Sequence, residues 1–216
     1  MRPSWQILST KERVSKKKEK LMKKILMAVM LFCGVLTGFA QSGGDLRFGV
    51  TGGMNVPNIT DMETDCRIGF NLGGRVEYNF SESFFMTSGL LLTQKGYDSD
   101  AGYSANPLYL EIPIHFGGRY SLGNTVSIFG ETGPYLAFGV GGKAKYREYV
   151  DGMSVEVKDD FFGEEGANAF DFGWGLRAGV EVSNIQIHLG YEYGFTKVID
   201  DEGHNSNFMV GLTYYF

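Results

Sequence analysis

The stretch Arg67 to Phe80, RIGFNLGGRVEYNF, decides the fold because its side chains alternate between two chemical kinds. Apolar side chains or glycine stand at every second position, namely Ile68, Phe70, Leu72, Gly74, Val76, Tyr78 and Phe80. The residues between them are glycine, asparagine, arginine and glutamate. A period of two over this length is typical of a β-strand with one apolar face and one polar face.

The same alternation predicts seven more strands, which are Leu46 to Met54, Phe84 to Gly96, Leu108 to Tyr120, Val126 to Val140, Phe170 to Val182, Ile185 to Lys197 and Asn207 to Phe216. The connections between consecutive strands contain 12, 3, 11, 5, 29, 2 and 9 residues. This alternation of long and short connections is typical of transmembrane barrels. A tilted membrane-spanning strand needs about 9 to 11 residues, close to the predicted lengths. We predict an all-β chain that forms an eight-stranded antiparallel up-and-down transmembrane β-barrel.

The direction in which the charged residues point distinguishes a membrane barrel from a soluble one. In a membrane barrel the polar set lines the lumen and the apolar set faces lipid. A soluble barrel of the lipocalin type would have to fit the large apolar side chains into a narrow eight-stranded interior. The predicted lumen network is Arg47, Arg75, Glu77, Lys95, Glu111, His115, Arg119, Glu131, Asp171, Arg177, Glu181, His188 and Glu192. Because a lone buried charge is costly, we expect these groups to pair and close the lumen rather than line a pore.

The amino-terminal part of the chain has the pattern of a targeting segment. Residues 22–40 combine a basic start at Lys23, an apolar stretch and small residues before a cleavage point after Ala40. The apolar stretch is too short for a membrane anchor, which needs about 20 residues. We predict that Met22 is the true start. The predicted divisions are residues 1–21 as a non-native or mis-assigned leader, 22–40 as a signal peptide and 41–216 as an outer-membrane β-barrel.

Charge and cysteine content exclude several classes of function. Without residues 1–40, the 20 basic residues fall by nine to 11 and the 25 acidic residues fall by two to 23, which gives a net charge of −12. Nucleic-acid binding needs a basic face, so no nucleic-acid partner is expected. Cys66 is the only cysteine in residues 41–216, which excludes an internal disulfide and a cysteine-based metal cluster in the predicted mature chain. The acidic segment 159–165 lacks the spacing of an EF-hand. We expect no metal and no cofactor.

Several stretches are similar to one family of small barrels. They are Phe48 to Asn58 (FGVTGGMNVPN), Gly89 to Gly96 (GLLLTQKG), Tyr109 to Ile114 (YLEIPI), Asp171 to Gly173 (DFG) and Tyr214 to Phe216 (YYF). Over residues 45–216 the chain resembles the PorT-like outer membrane protein β-barrel family. The resemblance implies a small OmpA-type barrel in outer-membrane lipid and little about activity. Tyr214 and Phe216 resemble the terminal signal that the barrel assembly machinery reads, so that machinery is an expected partner.

The longest connection, residues 141–169, is too long for simple closure and invites a functional explanation. Lys143 to Val150 and Met153 to Val157 alternate around Asp151-Gly152, a strong signal for a two-residue hairpin turn. We predict a β-ribbon whose edge pairs with an extracellular or envelope protein, so that the chain is a non-enzymatic surface scaffold or interaction protein. The alternative is a solvated loop without a partner. The expected contact residues are Lys143, Tyr146, Arg147, Tyr149, Asp151 and Gly152.

One motif points to a different function. His204-Asn-Ser206-Asn207 resembles the His-x-Ser-Asn element of outer-membrane lipid A deacylases, which would make the chain a lipid hydrolase using His204 and Ser206. A serine nucleophile needs a base and an acid that orients the base. No Asp or Glu follows Ser206 in the last strand. We therefore expect no catalysis and keep the lipid hydrolase as the alternative.

Overall fold

The computed structural model of the chain describes Glu19, Lys23 and residues 45–60, 65–99, 103–150, 153–162, 167–199 and 202–216. The predicted leader, signal peptide and cleavage point lie outside these residues, apart from Glu19 and Lys23. Those three features therefore stay predictions. Within the described ranges, no helix has the length and apolar character needed to cross a membrane.

Almost all of the described chain is β-strand. The strands are β1 Asp45–Thr60, β2 Asp65–Cys66, β3 Gly69–Asn79, β4 Phe84–Gln94, β5 Tyr97–Ser99, β6 Tyr103–Ala105, β7 Leu108–Ser121, β8 Val126–Gly141, β9 Lys143–Val150, β10 Met153–Asp160, β11 Phe170–Val182, β12 Ile185–Ile199 and β13 Glu202–Tyr215. Eight of them close an antiparallel barrel in the order β1-β13-β12-β11-β8-β7-β4-β3. The predicted eight-stranded antiparallel barrel is confirmed.

The two faces of the barrel strands carry opposite chemistry. Along β11, Phe172, Trp174 and Leu176 are exposed on the outside, while Asp171 and Arg177 are buried inside. Because successive side chains of a strand point to opposite faces, one sequence alternation produces an apolar outer surface and a polar lumen. The turn end of the barrel carries the short connections after β3, β7 and β11, the start of β1 and the end of β13. The opposite end is called the loop end.

Two barrel strands continue well past the point where the sequence alternation ends. The predicted strands stop at Met54 and begin at Asn207, whereas β1 and β13 remain paired up to Thr60 opposite His204. From Asn58 onward on β1, and at His204 and Ser206 on β13, the outward side chains are polar. Apolar alternation reports only the part of a strand that faces lipid, while backbone hydrogen bonds between strands continue in water.

Pro113 and Pro134 lie inside predicted strands and lack a backbone donor, so the sequence favours a bulge at each of them, and this expectation is wrong. The β7–β8 register is the same on both sides of Pro113, from Ile112 opposite Leu136 to Phe116 opposite Thr132. Pro134 lies opposite Trp174 in an unshifted β8–β11 register. A bulge would add a residue and turn the following charged side chains toward lipid, which costs more than one absent backbone donor. The observed register shifts lie between Leu108 and Tyr109 and between Tyr193 and Lys197.

A second sheet stands at the loop end, with the order β10-β9-β6-β5-β2, and is called the outer sheet. The structure confirms the β9–β10 hairpin, although its predicted turn residues, Asp151 and Gly152, lie outside the described ranges. The hairpin is not an isolated ribbon, because β9 pairs with β6, and β10 forms one edge of the sheet.

The outer sheet has an apolar core of its own. The buried members are Ile59, Tyr97, Ala105, Ala144, Phe161 and Val198. Ile59 and Val198 belong to the barrel strands β1 and β12, so the long barrel strands form the opposite wall of this core. Burial raises the pKa of Tyr97, which keeps its phenol neutral in this apolar setting.

Candidate functional site

The lumen holds ion pairs at three levels, and the first lies at the turn end. Arg47 Nη1 is 2.9 Å from Glu77 Oε1 and 3.0 Å from Glu181 Oε1. Arg119 Nη2 is 2.7 Å from Glu77 Oε1 and 3.0 Å from Glu181 Oε2. Gln186 donates a 2.7 Å hydrogen bond to Glu181. Two guanidinium groups and two carboxylates thus neutralise one another across four strands.

The central level is built around a single buried carboxylate. Glu131 is 2% exposed, and its Oε1 lies 2.7 Å from Arg75 Nη2 and 3.5 Å from Arg177 Nε. Thr87 donates a hydrogen bond of 2.9 Å to the other oxygen, and His115 Nδ1 lies 3.5 Å from Oε1. One anion therefore serves two guanidinium groups, so the stability of this level depends strongly on Glu131.

The loop-end level has the opposite balance of charge. Lys95 Nζ lies 3.4 Å from Glu111, 3.6 Å from Asp171 and 3.7 Å from Glu192. The same ammonium lies 4.5 Å from the centre of the Tyr135 ring. Asp171 Oδ2 accepts hydrogen bonds from Tyr135 at 3.0 Å and from Asn205 at 2.9 Å. Three carboxylates share one cation here, supported by neutral donors.

The two predicted lumen histidines occupy space that glycines leave open. A Cβ on Gly175 would lie 2.8 Å from His115 Nε2, and a Cβ on Gly211 would lie 2.7 Å from His188 Nε2. Both imidazoles are buried inside the barrel. The structure thus places all thirteen predicted network residues on the lumen side, with most of the charged ones in ion pairs.

Aromatic residues of the lumen are absent from the network predicted from the sequence. Tyr109, Tyr135 and Tyr215 are fully buried inside, as is Phe85, over whose ring Arg119 lies at 4.8 Å. The alternation along a strand could have identified them, because Tyr109 stands two positions before Glu111 and therefore points to the same face.

Two phenylalanines after β10 fill the loop end of the barrel. The Phe162 ring lies 5.2 Å from that of Tyr109 and 4.9 Å from that of Phe161. A Cβ added to Gly139 would lie 2.5 Å from the Phe162 ring. The segment that ends the hairpin therefore packs directly over the lumen and joins it to the core of the outer sheet.

Four of the six predicted contact residues of the hairpin lie in β9 of the outer sheet. Lys143 is exposed and its Nζ lies 3.4 Å from Asp160 Oδ1. Tyr146 donates a hydrogen bond of 3.2 Å to Asp159. Arg147 and Tyr149 occupy β9, opposite Glu156 and Ser154 of β10. Asp151 and Gly152 lie outside the described residues, so nothing in the structure places them.

His204 and Ser206 lie on the outward surface of β13 near the loop end. The His204 ring stacks on Tyr193 with ring centres 5.6 Å apart. Ser206 Oγ and the Tyr191 hydroxyl share a hydrogen bond of 2.9 Å. Among the carboxylates whose side chains the structure describes, none forms a hydrogen bond or ion pair with either side chain. Catalysis by this pair is untested and stays an alternative prediction.

The last strand ends on the lipid-facing surface. Tyr214 and Phe216 are exposed on the outside, with their rings 5.7 Å apart. The Phe216 amide donates a hydrogen bond of 2.8 Å to the Phe48 carbonyl, which fastens the chain end to β1. As for metals, the described ranges contain no group of three or more His, Cys, Asp or Glu residues suited to hold an ion.

A closed antiparallel barrel with charges inside and apolar side chains outside defines the class of transmembrane β-barrels. The chain belongs to the outer membrane protein beta-barrel domain family, whose profile matches residues 39–200. The match covers most of the chain and supports the general barrel identity. The predicted PorT-like subgroup is a finer assignment than this match provides.

Solved structures of bacterial barrels resemble the chain in fold. Ail, the attachment invasion locus protein of Yersinia pestis, is 20% identical over 81% of this chain and 100% of that chain, with a TM-score of 0.43. Neisserial surface protein A is 13% identical over 81% of this chain and 100% of that chain, with a TM-score of 0.48. A search of curated proteins gave no significant match.

Proposed function

We propose that the protein is a non-enzymatic interaction protein at the surface of a Gram-negative bacterium, with the outer sheet as its contact surface. The observation that carries this proposal is the outer sheet itself, which stands on its own apolar core at the loop end of the barrel. Its edge strand β10 presents backbone groups along one side. Such an edge accepts an extended segment of another protein through main-chain hydrogen bonds.

The filled lumen supports a role at the surface rather than in transport. Ion pairs occupy three levels of the lumen, and Phe162 packs over its loop end. An eight-stranded barrel encloses only enough space for its own side chains. We accordingly propose a closed lumen, without steady channels in planar bilayers.

Three finer assignments belong to the same proposal. The motifs from Phe48 to Asn58 and from Gly89 to Gly96 support a PorT-like affiliation within the family. The exposed Tyr214 and Phe216 at the barrel surface support recognition by the assembly machinery. Export through a signal peptide at residues 22–40 accounts for delivery to the outer membrane.

Site-specific photo-crosslinking in living cells tests the contact surface. Val155 on β10 is 47% exposed, and Ile187 on the lipid-facing side of β12 is 53% exposed, which makes them matched positions. A photoreactive residue at position 155 is expected to capture a discrete protein, whereas the same residue at position 187 is expected to capture lipid. Equal protein capture at both positions, or none at position 155, would contradict the proposal.

A shortened hairpin gives a second test that keeps the core intact. Tyr146 and Val157 are opposite one another, so joining them through Asn-Gly removes residues 147–156 and retains Ala144 and Phe161. Because position 155 lies in the removed stretch, the partner is followed by co-purification after general amine crosslinking, and it is expected to be lost while the barrel still folds. An unchanged partner in the shortened protein would remove the hairpin from the interaction.

A further inference from the structure

The outward surface of β1, β12 and β13 changes chemistry at one level. Toward the turn end it is apolar, with Leu189, Phe208 and Leu212 each more than 40% exposed. Toward the loop end most of the described outward residues are polar, although Phe195 of β12 is 51% exposed between Tyr193 and Lys197. This polar region is called the interface patch and comprises Asn58, Thr60, Lys197, His204 and Ser206, with Tyr191 and Tyr193 at its lower border.

Strand register brings the members of the interface patch together. His204 lies between Thr60 on one neighbouring strand and Lys197 on the other, and Ser206 lies opposite both Asn58 and Tyr193. Directly opposite residues in an antiparallel pair have Cβ atoms about 5 Å apart and point to the same face. The patch is therefore a compact group that contains one cation, one imidazole and several hydroxyl or amide groups.

Several contacts already orient this group. His204 stacks on Tyr193, and Ser206 hydrogen-bonds to Tyr191. The Nδ1 atom of His204 is inaccessible to solvent and has no hydrogen-bond partner. Lys197 is exposed on the same outward surface. Its ammonium group gives the patch a positive charge that faces the outside of the barrel.

We propose that the interface patch binds the phosphate of an outer-leaflet glycolipid, whose acyl chains lie on the apolar surface below it. The Lys197 ammonium supplies charge, and the His204 ring and the hydroxyl pair of Ser206 and Tyr191 supply hydrogen-bond donors, which together suit a phosphate monoester. The Thr60 hydroxyl already donates to the His204 carbonyl. Apolar strand surface continues directly from the patch through Phe208 and Leu212. That continuity selects a lipid over a free anion, because the tails bury surface that a free anion leaves uncovered.

This inference gives the His204-x-Ser206 motif a binding role. The Ser206 hydroxyl is held by Tyr191, a neutral neighbour, and it acts as a headgroup ligand in this arrangement. The patch lies on the outward surface of the barrel and does not use β9 or β10. Its lipid site therefore stands independently of the proposed protein contact on the outer sheet.

Native mass spectrometry of the detergent-purified full chain tests the site. The probes are diphosphoryl lipid A, the same lipid without its phosphates, and inorganic phosphate. Wild-type protein is expected to retain diphosphoryl lipid A, and the double variant Lys197→Gln/His204→Gln is expected to bind it about tenfold more weakly, a change of about 1.4 kcal/mol. Lys143→Gln, which removes an exposed lysine from the outer sheet, is the matched control and is expected to bind like wild type.

Each other outcome counts against the proposal in a defined way. The proposal fails if the double variant retains diphosphoryl lipid A as well as the wild type does. It also fails if the wild type retains the dephosphorylated lipid equally well, because the patch would then not recognise phosphate. Binding of inorganic phosphate as tightly as the lipid would mean that the ligand is a free anion and not a lipid. Recovery of lipid A with a missing acyl chain would mean that the protein hydrolyses the lipid instead of only binding it. Heated samples, in which the barrel is unfolded, migrate more slowly in gels than unheated folded samples. This difference, checked for every variant, excludes loss of folding as the cause of weaker lipid binding.

Discussion

The lumen of the barrel and the core of the outer sheet are enclosed by strands of one chain, yet they are filled with opposite chemistry. In the lumen the buried residues are charged, as at Arg75 and Glu131, and the apolar side chains face outward. In the outer sheet the buried residues are apolar, and charges such as Lys143 lie outside. The difference teaches that the solvent around a strand decides which face becomes the core.

Strand β1 shows the change within a single element. Asn55 points inward and is fully buried, bonded to the carbonyl of Phe70 and to Asn71. Four residues later, Ile59 also points inward and is buried in the core of the outer sheet. The outward residues change in the opposite sense, from Val56 to Asn58. The boundary between lipid and water therefore crosses β1 close to these positions.

The largest expected effect comes from removing a charge in the lumen. In Glu131→Gln, Arg75 and Arg177 lose the carboxylate that serves both, and breaking a buried ion pair costs about 3–5 kcal/mol. Guanidinium unfolding of the barrel in lipid vesicles measures this loss of stability.

The matched control is the same chemical change in the outer sheet. Asp160 pairs with Lys143 at an exposed position, so Asp160→Asn is expected to cost about 0–1 kcal/mol. Equal losses for the two variants would mean that water enters the lumen freely, and the contrast between the regions would disappear.

A smaller effect is expected from a single methyl group in the outer core. Ile59→Val leaves a small cavity under β5, β6 and β9 and is expected to cost about 1 kcal/mol. Hydrogen exchange in β9 and β10 should speed up while the barrel strands stay protected. Ile187→Val, at an exposed lipid-facing site, is the control and is expected to change neither region, since lipid tails replace the lost contacts.

The smallest effect is expected at the hydrolase motif. Ser206→Ala removes a hydroxyl that is bonded to Tyr191 and is expected to leave cellular lipid A chemically unchanged. Mass spectra of lipid A from cells with wild-type protein, the variant and no protein should agree. A deacylated species that appears only with the wild type would establish the hydrolase alternative.

The sequence alone predicts the part of this fold that touches lipid. Strict alternation from Arg67 to Phe80, together with the lengths of the connections, predicts the number of strands and the direction of their faces. Charge at alternate positions identifies the inward residues, such as Lys95 and Arg177. These features can be predicted because every membrane-spanning strand of a barrel must turn its apolar side chains toward lipid.

The features that alternation does not reveal are those set by contacts between distant segments. The outer sheet pairs β2, β5, β6 and β9 from three separate connections, and no single connection encodes that pairing. The inward position of Tyr135 is readable only after the register of β8 is known. The continuous strands at Pro113 and Pro134 depend on the register that their neighbours enforce.

The close packing of Phe162 against Gly139 divides the hairpin into parts with different freedom to change. A larger residue at position 139 would push the aromatic ring away, so these two positions are constrained to vary together. The distal hairpin carries no such constraint from the barrel. Foreign peptides inserted there would be displayed outside the cell on a rigid base, and natural sequence diversity should concentrate in the same short stretch.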